Sequence, residues 1–349
     1  MKQIYNLIVL FFVPLFVLAN EVKYSHEKEK TISKTFETSA EALTQISNSY
    51  GNINVYLWNE NKVAIQVKIK VSGYNEAKVT ERLKVISATF DGNASKVSAK
   101  TTFSGKNWST NNMNYEINYI VKIPRNGSIN LTNKYGNIAV ENLNGTASID
   151  CQYGSVTLGT LKNKSNQITL AYSQNSSVEF IENVQLKCSY SKIDCKQANQ
   201  VTFNGNYNTF TSQNTKTLQM ATNYTKVNIK NSQKLSVDGN YLTLNFGEIS
   251  QSATIDSNYS SIQMTMTNKT DQLLINGNYS HSKISCAPDA AFDFDFMVGY
   301  GSFKEELGLK YTEKYEKNTS KSYNGYFNSP GKSKLKITTN YGNIQLLKL

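Results

Sequence analysis

Apolar and polar residues alternate in short runs that recur at a nearly constant interval along most of the chain. Tyrosines mark this interval, and the steps from Tyr135 to Tyr300 are 17 to 21 residues. Counting each Tyr as zero, apolar residues fall at positions −6, −4, +3 and +5, and all four are apolar at seven of twelve tyrosines. With 39% apolar residues, chance gives about 2% per site, so the pattern is a genuine repeat. The twelve tyrosines are Tyr50, Tyr135, Tyr153, Tyr172, Tyr190, Tyr207, Tyr224, Tyr241, Tyr259, Tyr279, Tyr300 and Tyr341.

The spacing of two on each side of the Tyr predicts two short strands per repeat, each with one buried face. A unit of this kind must stack on its neighbours to bury that face. The sequence therefore predicts an all-β fold, a parallel β-solenoid (β-helix-like) with two-strand coils of about 18 residues. An antiparallel meander also fits the alternation, but it does not explain why one Tyr column persists.

The residues just before each Tyr indicate a sharp turn. Position −1 is Asn in six repeats, and position −2 is often small, as at Gly205 and Gly239. Asn and Gly both tolerate left-handed backbone. In a solenoid, the Asn and Tyr residues would form ladders with a spacing of about 4.8 Å along the axis. Whether the Tyr column faces inward or outward stays open at this point, as does the handedness of the solenoid.

The chain divides into four parts by pattern. Residues 1–19 form an expected signal peptide, and residues 20–125 an N-terminal cap with the first repeat and a strand-helix insertion. The solenoid repeats are expected over 126–303, and a long loop or hairpin followed by the final repeat over 304–349. In the cap, the pattern predicts strands over 63–71, 96–103 and 115–123, and one helix over 75–87 that Asn75 caps.

The N-terminus has the composition of an export signal. A positive start is followed by an apolar run from Leu7 to Leu18, and Ala19 is a suitable residue before the cleavage point. Twelve residues are too few to span a bilayer, which needs about 20. No second apolar run reaches that length. We therefore expect an exported protein in the periplasm, on the cell surface or secreted, without a transmembrane segment in the mature chain.

The composition strengthens the all-β prediction and suggests one class of partner. The chain has 43 Asn and 22 Tyr but only 4 Pro, and a formal net charge of +11. The positive charge suits an anionic polysaccharide or envelope glycan, although no nucleic-acid motif accompanies it. Another protein is also an open choice of partner, and nucleic acid is not expected. The candidate binding residues are a line of lysines beside the second strands and the central tyrosines: Lys196, Lys216, Lys230, Lys234, Tyr207, Tyr224, Tyr241 and Tyr259.

Residues suited to catalysis or metal binding are sparse. His26 and His281 have no partner at a recognisable spacing, so no metal and no cofactor are expected. Asp293 and Asp295 lie about 6.5–7 Å apart on one strand, a spacing that could serve glycoside hydrolysis. Outward carboxylates on a strand are more commonly a solvated face.

The four cysteines are expected to be buried free thiols. Cys151 and Cys188 share one position of the repeat but lie two coils apart, which is beyond disulfide reach. Cys286 lies several coils away, and all four cysteines replace apolar residues. The pair Cys188 and Cys195, on one coil, is the one disulfide left open.

Three features of the sequence resemble a known family. They are the Tyr-Gly-Asn-Ile motif at 50, 135 and 341, the strand-helix insertion, and the strand ending at Pro124. They resemble the putative adhesin domain family of exported Bacteroidota proteins. This resemblance implies a parallel β-helix-like fold, a periplasmic or surface location and no assigned catalytic residues. The central repeats keep the Tyr but lose the Gly that follows it.

The sequence favours an exported non-enzymatic β-solenoid, an adhesin-like or cell-envelope binding or scaffold protein. One alternative is a carbohydrate-active enzyme, a glycoside hydrolase or lyase, with Asp293 and Asp295 as its carboxylates. The other is a periplasmic envelope-stress or signalling component.

Overall fold

The computed structural model describes residues 24–104 and 112–349; the expected signal peptide lies outside the described residues. The N-terminal part contains one helix between strands. Its elements, in chain order, are β1 His26–Glu37, β2 Leu43–Ser49, β3 Ile53–Trp58, β4 Lys62–Gly73, α1 Glu76–Val85, β5 Ile86–Gly92, β6 Lys96–Phe103 and β7 Met113–Pro124. In the described ranges, no helix is both long and apolar enough to cross a membrane.

Helix α1 forms where the sequence predicts it, two residues shorter at its C-terminal end. Asn75 is the N-cap, and its Oδ1 accepts a hydrogen bond of 3.0 Å from the backbone N–H of Lys78. Val79 is fully buried against the strands. Ile86 takes an extended conformation, which ends the helix and begins β5.

The middle of the chain consists of strands that come before and after each column tyrosine. They are β8 Ser128–Lys134, β9 Ile138–Val140, β10 Ala147–Gln152, β11 Val156–Leu161, β12 Asn166–Ala171, β13 Ser176–Ser189, β14 Lys192–Asn206, β15 Thr209–Asn223, β16 Lys226–Asn240, β17 Thr243–Asn258, β18 Ser261–Met266, β19 Gln272–Asn278, β20 His281–Cys286, β21 Phe292–Gly299 and β22 Ser302–Glu305. The chain ends with β23 Lys310–Lys317, β24 Ser320–Phe327, β25 Lys334–Asn340 and β26 Asn343–Lys348.

Neighbouring coils pair in parallel and in register, so the predicted parallel solenoid is confirmed and the antiparallel meander is wrong. Val227 pairs with Leu244, and Leu244 pairs with Ile262. All three residues are fully buried. The equivalent side chains of successive coils therefore stack on one another inside the solenoid, as the alternation predicts.

In several coils a polar residue is buried at one of the four inward positions where the repeat usually has an apolar residue. Asn166 and Ser212 occupy such inward positions, and both are almost fully buried. The Asn166 side chain accepts from the Ala147 N–H and donates to the carbonyls of Asn163 and Asn183. A polar side chain is tolerated at these positions because it is hydrogen-bonded within the stack.

The second corner of each central coil is not a loop, which differs from the two separate short strands that the sequence predicts for each repeat. Strands β14 to β17 are 15 or 16 residues long and run through this corner. The corner residues Ala198, Thr215, Ser232 and Ile249 are buried and pair with one another in successive coils. They provide an additional inward position at +8 that a period of two does not predict.

Antiparallel strands close both ends of the stack. At the N-terminal end, β4 pairs antiparallel with β7 and β1, and β5 pairs antiparallel with β6. At the other end, the hairpin of β23 and β24 pairs antiparallel with β21. These added strands cover coil edges that would otherwise offer free backbone groups to other chains.

The order of the coils departs from chain order at the C-terminal end. Strand β25 lies between β19 and β21, and β26 lies between β20 and β22. The coil of Tyr341 is therefore inserted between those of Tyr279 and Tyr300. The coil of Tyr300 is therefore the last coil of the stack. The hairpin of β23 and β24, which follows this coil in the chain, pairs with its strand β21.

Candidate functional site

The column tyrosines form the turn of every coil and point outward. All twelve have φ between 48° and 63°, in the left-handed region that costs a non-glycine residue about 1–2 kcal/mol. Eleven of them are 44–61% exposed, and Tyr50 is partly buried. The open question of whether the column faces in or out is thereby settled in favour of outward.

The tyrosine rings stack face to face along the whole column, which confirms the predicted ladder. Neighbouring ring centroids are 4.7–5.4 Å apart. Most planes are within 10° of parallel, as between Tyr224 and Tyr241 at 3°. Each stacked pair contributes about 0.5–1.5 kcal/mol, which offsets the cost of the left-handed turn.

This stacking decides which part of the rings a ligand can reach. Because each ring covers the faces of its neighbours, a sugar ring cannot stack on the interior tyrosines. Only the ring edges and hydroxyl groups reach solvent there. Tyr50 is covered at its end by Phe103 and Tyr115. Tyr300 stacks only on Tyr341 among the described rings, and it is the most exposed member at 61%.

The asparagines at position −1 form a second ladder beside the tyrosines. The Nδ2 group of each Asn donates to Oδ1 of the Asn before it in the stack: Asn223 to Asn206, Asn240 to Asn223, Asn258 to Asn240, Asn278 to Asn258 and Asn340 to Asn278, at 2.9–3.3 Å. In three coils the backbone N–H of the Asn also donates to that Oδ1. The ladder ends at Gly299, where a Cβ would meet Asn340 Oδ1 at 2.1 Å.

The two ladders border an open groove that follows the solenoid axis over the C-terminal coils. Its volume is about 730 Å³. Every residue that lines the groove is Asn or Tyr: Asn223, Tyr224, Asn240, Tyr241, Asn258, Tyr259, Asn278, Tyr279, Tyr300, Asn340 and Tyr341. We call this feature the Asn-Tyr groove. The predicted binding residues Tyr224, Tyr241 and Tyr259 line it, whereas Tyr207 lies just outside.

Position +1, directly after each Tyr, explains why the central coils lose glycine. In the early coils a Cβ at Gly136 would lie 1.9 Å from the Gly51 carbonyl oxygen, so only glycine fits. In the central coils Ser173 and Ser191 are buried there, and the Ser173 N–H donates to Ser191 Oγ at 3.1 Å. Buried side chains, which carry a hydroxyl in most of these coils, thus replace the close backbone approach.

The four predicted binding lysines are all exposed, but the register does not place them in one line. Lys196 and Lys230 share a column with Gln213 between them, while Lys216 and Lys234 lie in two other columns. Lys196 also forms an ion pair with Glu179. A recess beside Lys216 contains Glu248 as well, so this corner carries mixed charge. We refer to the four as the corner lysines, and their role in binding stays a prediction.

Asp293 and Asp295 are occupied by structural contacts. Both carboxylate oxygens of Asp293 accept from the Gly331 N–H at 3.1 Å. Asp295 forms an ion pair of 2.8 Å with Lys336 on the adjacent strand. These carboxylates orient a turn and link two strands, and neither lines the Asn-Tyr groove.

The histidines and cysteines do not come together in a site. His281 Nδ1 lies 3.2 Å from Asn343 Nδ2. In the described residues, no group of three or more His, Cys, Asp or Glu side chains could hold a metal ion. All four thiols are buried, and burial raises the pKa of Cys151 to about 11 and that of Cys188 to about 12.

The sequence matches no protein-family model and no curated protein. Solved structures with some similarity include a putative cell adhesion protein from Clostridium sporogenes, with 12% identity, 92% of this chain and 100% of that chain covered, and a TM-score of 0.20. A putative adhesin from Parabacteroides merdae has 8% identity, coverage of 91% and 96%, and a TM-score of 0.32. A putative lipid binding protein from Parabacteroides distasonis has 9% identity, coverage of 90% and 96%, and a TM-score of 0.31. Two of these three structures are thus named for adhesion and one for lipid binding.

Proposed function

We propose that this chain is an exported, non-enzymatic binding or scaffold protein of the adhesin-like kind, which binds a linear polymer along the Asn-Tyr groove. The observation that carries the proposal is the Asn-Tyr groove, where five successive coils present the same Asn and Tyr side chains at a spacing of about 4.8 Å. A repetitive polymer can meet several coils at once, and individually weak contacts then add to a useful affinity.

The lining of the groove and the contacts of the candidate carboxylates favour binding over turnover. The groove contains neither a carboxylate nor a histidine, the side chains that most often act as general acid or base. The candidate carboxylates Asp293 and Asp295 are held by Gly331 and Lys336. A glycoside hydrolase would need at least one of these contacts to break.

Location on the cell surface or in the periplasm rests on the N-terminal sequence. The run from Leu7 to Leu18 and the cleavage point after Ala19 support export. An exported protein meets extracellular and envelope glycans, which the Asn-Tyr groove could bind, and this fits the adhesin-like role.

The proposal is tested with a glycan array probed with the mature chain, residues 20–349, and a reducing-sugar assay on each hit. We expect binding to one or more linear glycans without release of reducing ends. Binding to no glycan refutes the polymer-binding proposal. Release of reducing ends that is lost in Asp293→Asn would instead support the enzyme alternative.

A further inference from the structure

We propose that the ligand of the Asn-Tyr groove is an uncharged, hydroxyl-rich linear polysaccharide. This inference rests on the proposed function and specifies its ligand. It follows from three properties of the groove: its charge, its unused hydrogen-bonding groups and the parts of the tyrosine rings that it presents.

The groove is electrically neutral. All eleven of its lining residues are Asn or Tyr, and neither type carries charge at neutral pH. A carboxylate or sulfate that enters such a groove gives up water without meeting a countercharge, which is unfavourable. The net charge of the chain lies elsewhere, on faces such as that of the corner lysines.

The amide ladder leaves a row of unused donors. Asn223 Oδ1 accepts from both the N–H and the Nδ2 of Asn240, and Asn258 Oδ1 accepts in the same way from Asn278. The two lone pairs of these oxygens are thereby used, whereas each Nδ2 spends only one of its two N–H groups on the ladder. One N–H per coil remains for a ligand acceptor.

The tyrosine hydroxyls add a second row. Within the part of the chain that the structure describes, the hydroxyls of Tyr224, Tyr241, Tyr259 and Tyr279 have no side-chain or backbone partner, and these residues are 45–51% exposed. A phenol hydroxyl both donates and accepts. Five coils of the groove therefore each present one amide donor and one hydroxyl, a set that matches the hydroxyl and ether oxygens of sugar units.

The stacked rings exclude sugar stacking on every tyrosine of the groove except Tyr300, whose outer face no described ring covers. Interior faces are covered at centroid spacings of 4.7–5.0 Å. A polysaccharide must consequently lie along the ring edges, parallel to the axis, and hydrogen-bond to successive coils. The groove includes six tyrosines, so affinity should rise with ligand length and level off at about six sugar units.

The test uses calorimetry of the mature chain with neutral linear hexasaccharides of glucan, xylan, mannan and galactan backbones, and with hexauronates. The groove variant carries Tyr241→Phe, Tyr259→Phe and Tyr279→Phe, which keep the stacked rings and remove three hydroxyls. The matched control carries Tyr135→Phe, Tyr153→Phe and Tyr172→Phe, which lie in the same column outside the groove. Unfolding midpoints of both variants establish that they are folded.

We expect a neutral hexasaccharide to bind with little dependence on salt and better than its trisaccharide. The groove variant should lose about tenfold or more in affinity, since three neutral hydrogen bonds are removed. The control variant should bind as the parent does.

Three results would overturn the inference. Tighter, salt-sensitive binding of the hexauronates would replace the neutral ligand with an anionic one and leave the polymer-binding proposal in place. Equal affinity of the groove variant and the parent would move the site elsewhere on the solenoid. Absence of binding to every oligosaccharide and to the glycan array would refute the inference and the proposed function together.

Discussion

Substitution of Tyr241 separates the two effects that oppose each other at every coil turn. Its φ is 57°, and its ring stacks on Tyr224 at 4.7 Å and on Tyr259 at 5.0 Å. Tyr241→Ala removes both stacks and keeps a side chain in the left-handed conformation. Tyr241→Gly removes the same stacks but also relieves the backbone.

The magnitudes fix the order of the three proteins. Two stacks contribute about 1–3 kcal/mol together. The left-handed conformation costs Ala about 1–2 kcal/mol relative to Gly, and the greater flexibility of Gly in the unfolded chain returns about 0.5–1 kcal/mol of that. We therefore expect Tyr241→Gly to be more stable than Tyr241→Ala by about 0.5–1 kcal/mol, with the parent protein the most stable.

Thr243 provides the matched control, because it is exposed on the adjacent strand β17 and has extended backbone. There the order should invert, with Thr243→Ala more stable than Thr243→Gly by about 0.5–1 kcal/mol. Urea unfolding of the mature chain, followed by circular dichroism, measures all four variants. If Ala is as stable as Gly at position 241, the stored backbone strain is not what the tyrosine stacking offsets.

Other perturbations test the core, the thiols and the corner lysines. Leu244→Ala should cost about 2–5 kcal/mol and Leu244→Asp should prevent folding, because the side chain is fully buried between stacked neighbours; a folded Leu244→Asp chain would contradict the inward register. The buried cysteines should resist iodoacetamide at pH 8 in the native protein, since their raised pKa values leave little thiolate. All four should then be alkylated after unfolding without reductant, and a count of two or none by mass spectrometry would reveal disulfides. Changing the corner lysines to Gln should preserve the unfolding midpoint and weaken retention on a polyanion column; unchanged retention would exclude them as a binding surface.

The coil itself could be predicted from the sequence because the same local conformation and the same pattern of buried residues recur in every repeat. Each coil needs one residue in the left-handed region and inward apolar residues on both sides of it. The spacing around Tyr241 shows both requirements, and the helix cap at Asn75 is a similarly local signal. Local conformation and alternation are properties of short segments, so they can be read without a structure.

The direction of the tyrosine ring could not be predicted in the same way. In the strand before Tyr241 the inward residues are at even positions, −6 and −4, so continued alternation would place the Tyr itself inside. In the strand after it the inward residues are at odd positions, +3 and +5, so the same rule would place the Tyr outside. The left-handed turn breaks the period of two, and both Asn240 and Tyr241 consequently face the solvent side. The same break at the second corner hides the buried position of Ile249.

The place of the Tyr341 coil is a long-range property. Its Tyr-Gly-Asn-Ile motif is identical to those at Tyr50 and Tyr135. The motif therefore indicates that a coil exists, but not which other coils this coil contacts. Insertion between the coils of Tyr279 and Tyr300 requires the intervening hairpin to fold back past the end of the stack. The groove depends on this insertion, because Asn340 and Tyr341 continue both ladders.

The measurement that tests the central claim most directly is fluorine NMR of the mature chain labelled with 3-fluorotyrosine and titrated with a neutral linear hexasaccharide that binds. Single Tyr→Phe variants assign the signals. The account predicts that the signals of Tyr241, Tyr259 and Tyr279 shift on binding while those of Tyr135 and Tyr153 do not. Shifts confined to tyrosines outside the groove, or no shift in any column tyrosine at saturation, would contradict the claim that the Asn-Tyr groove binds the polymer.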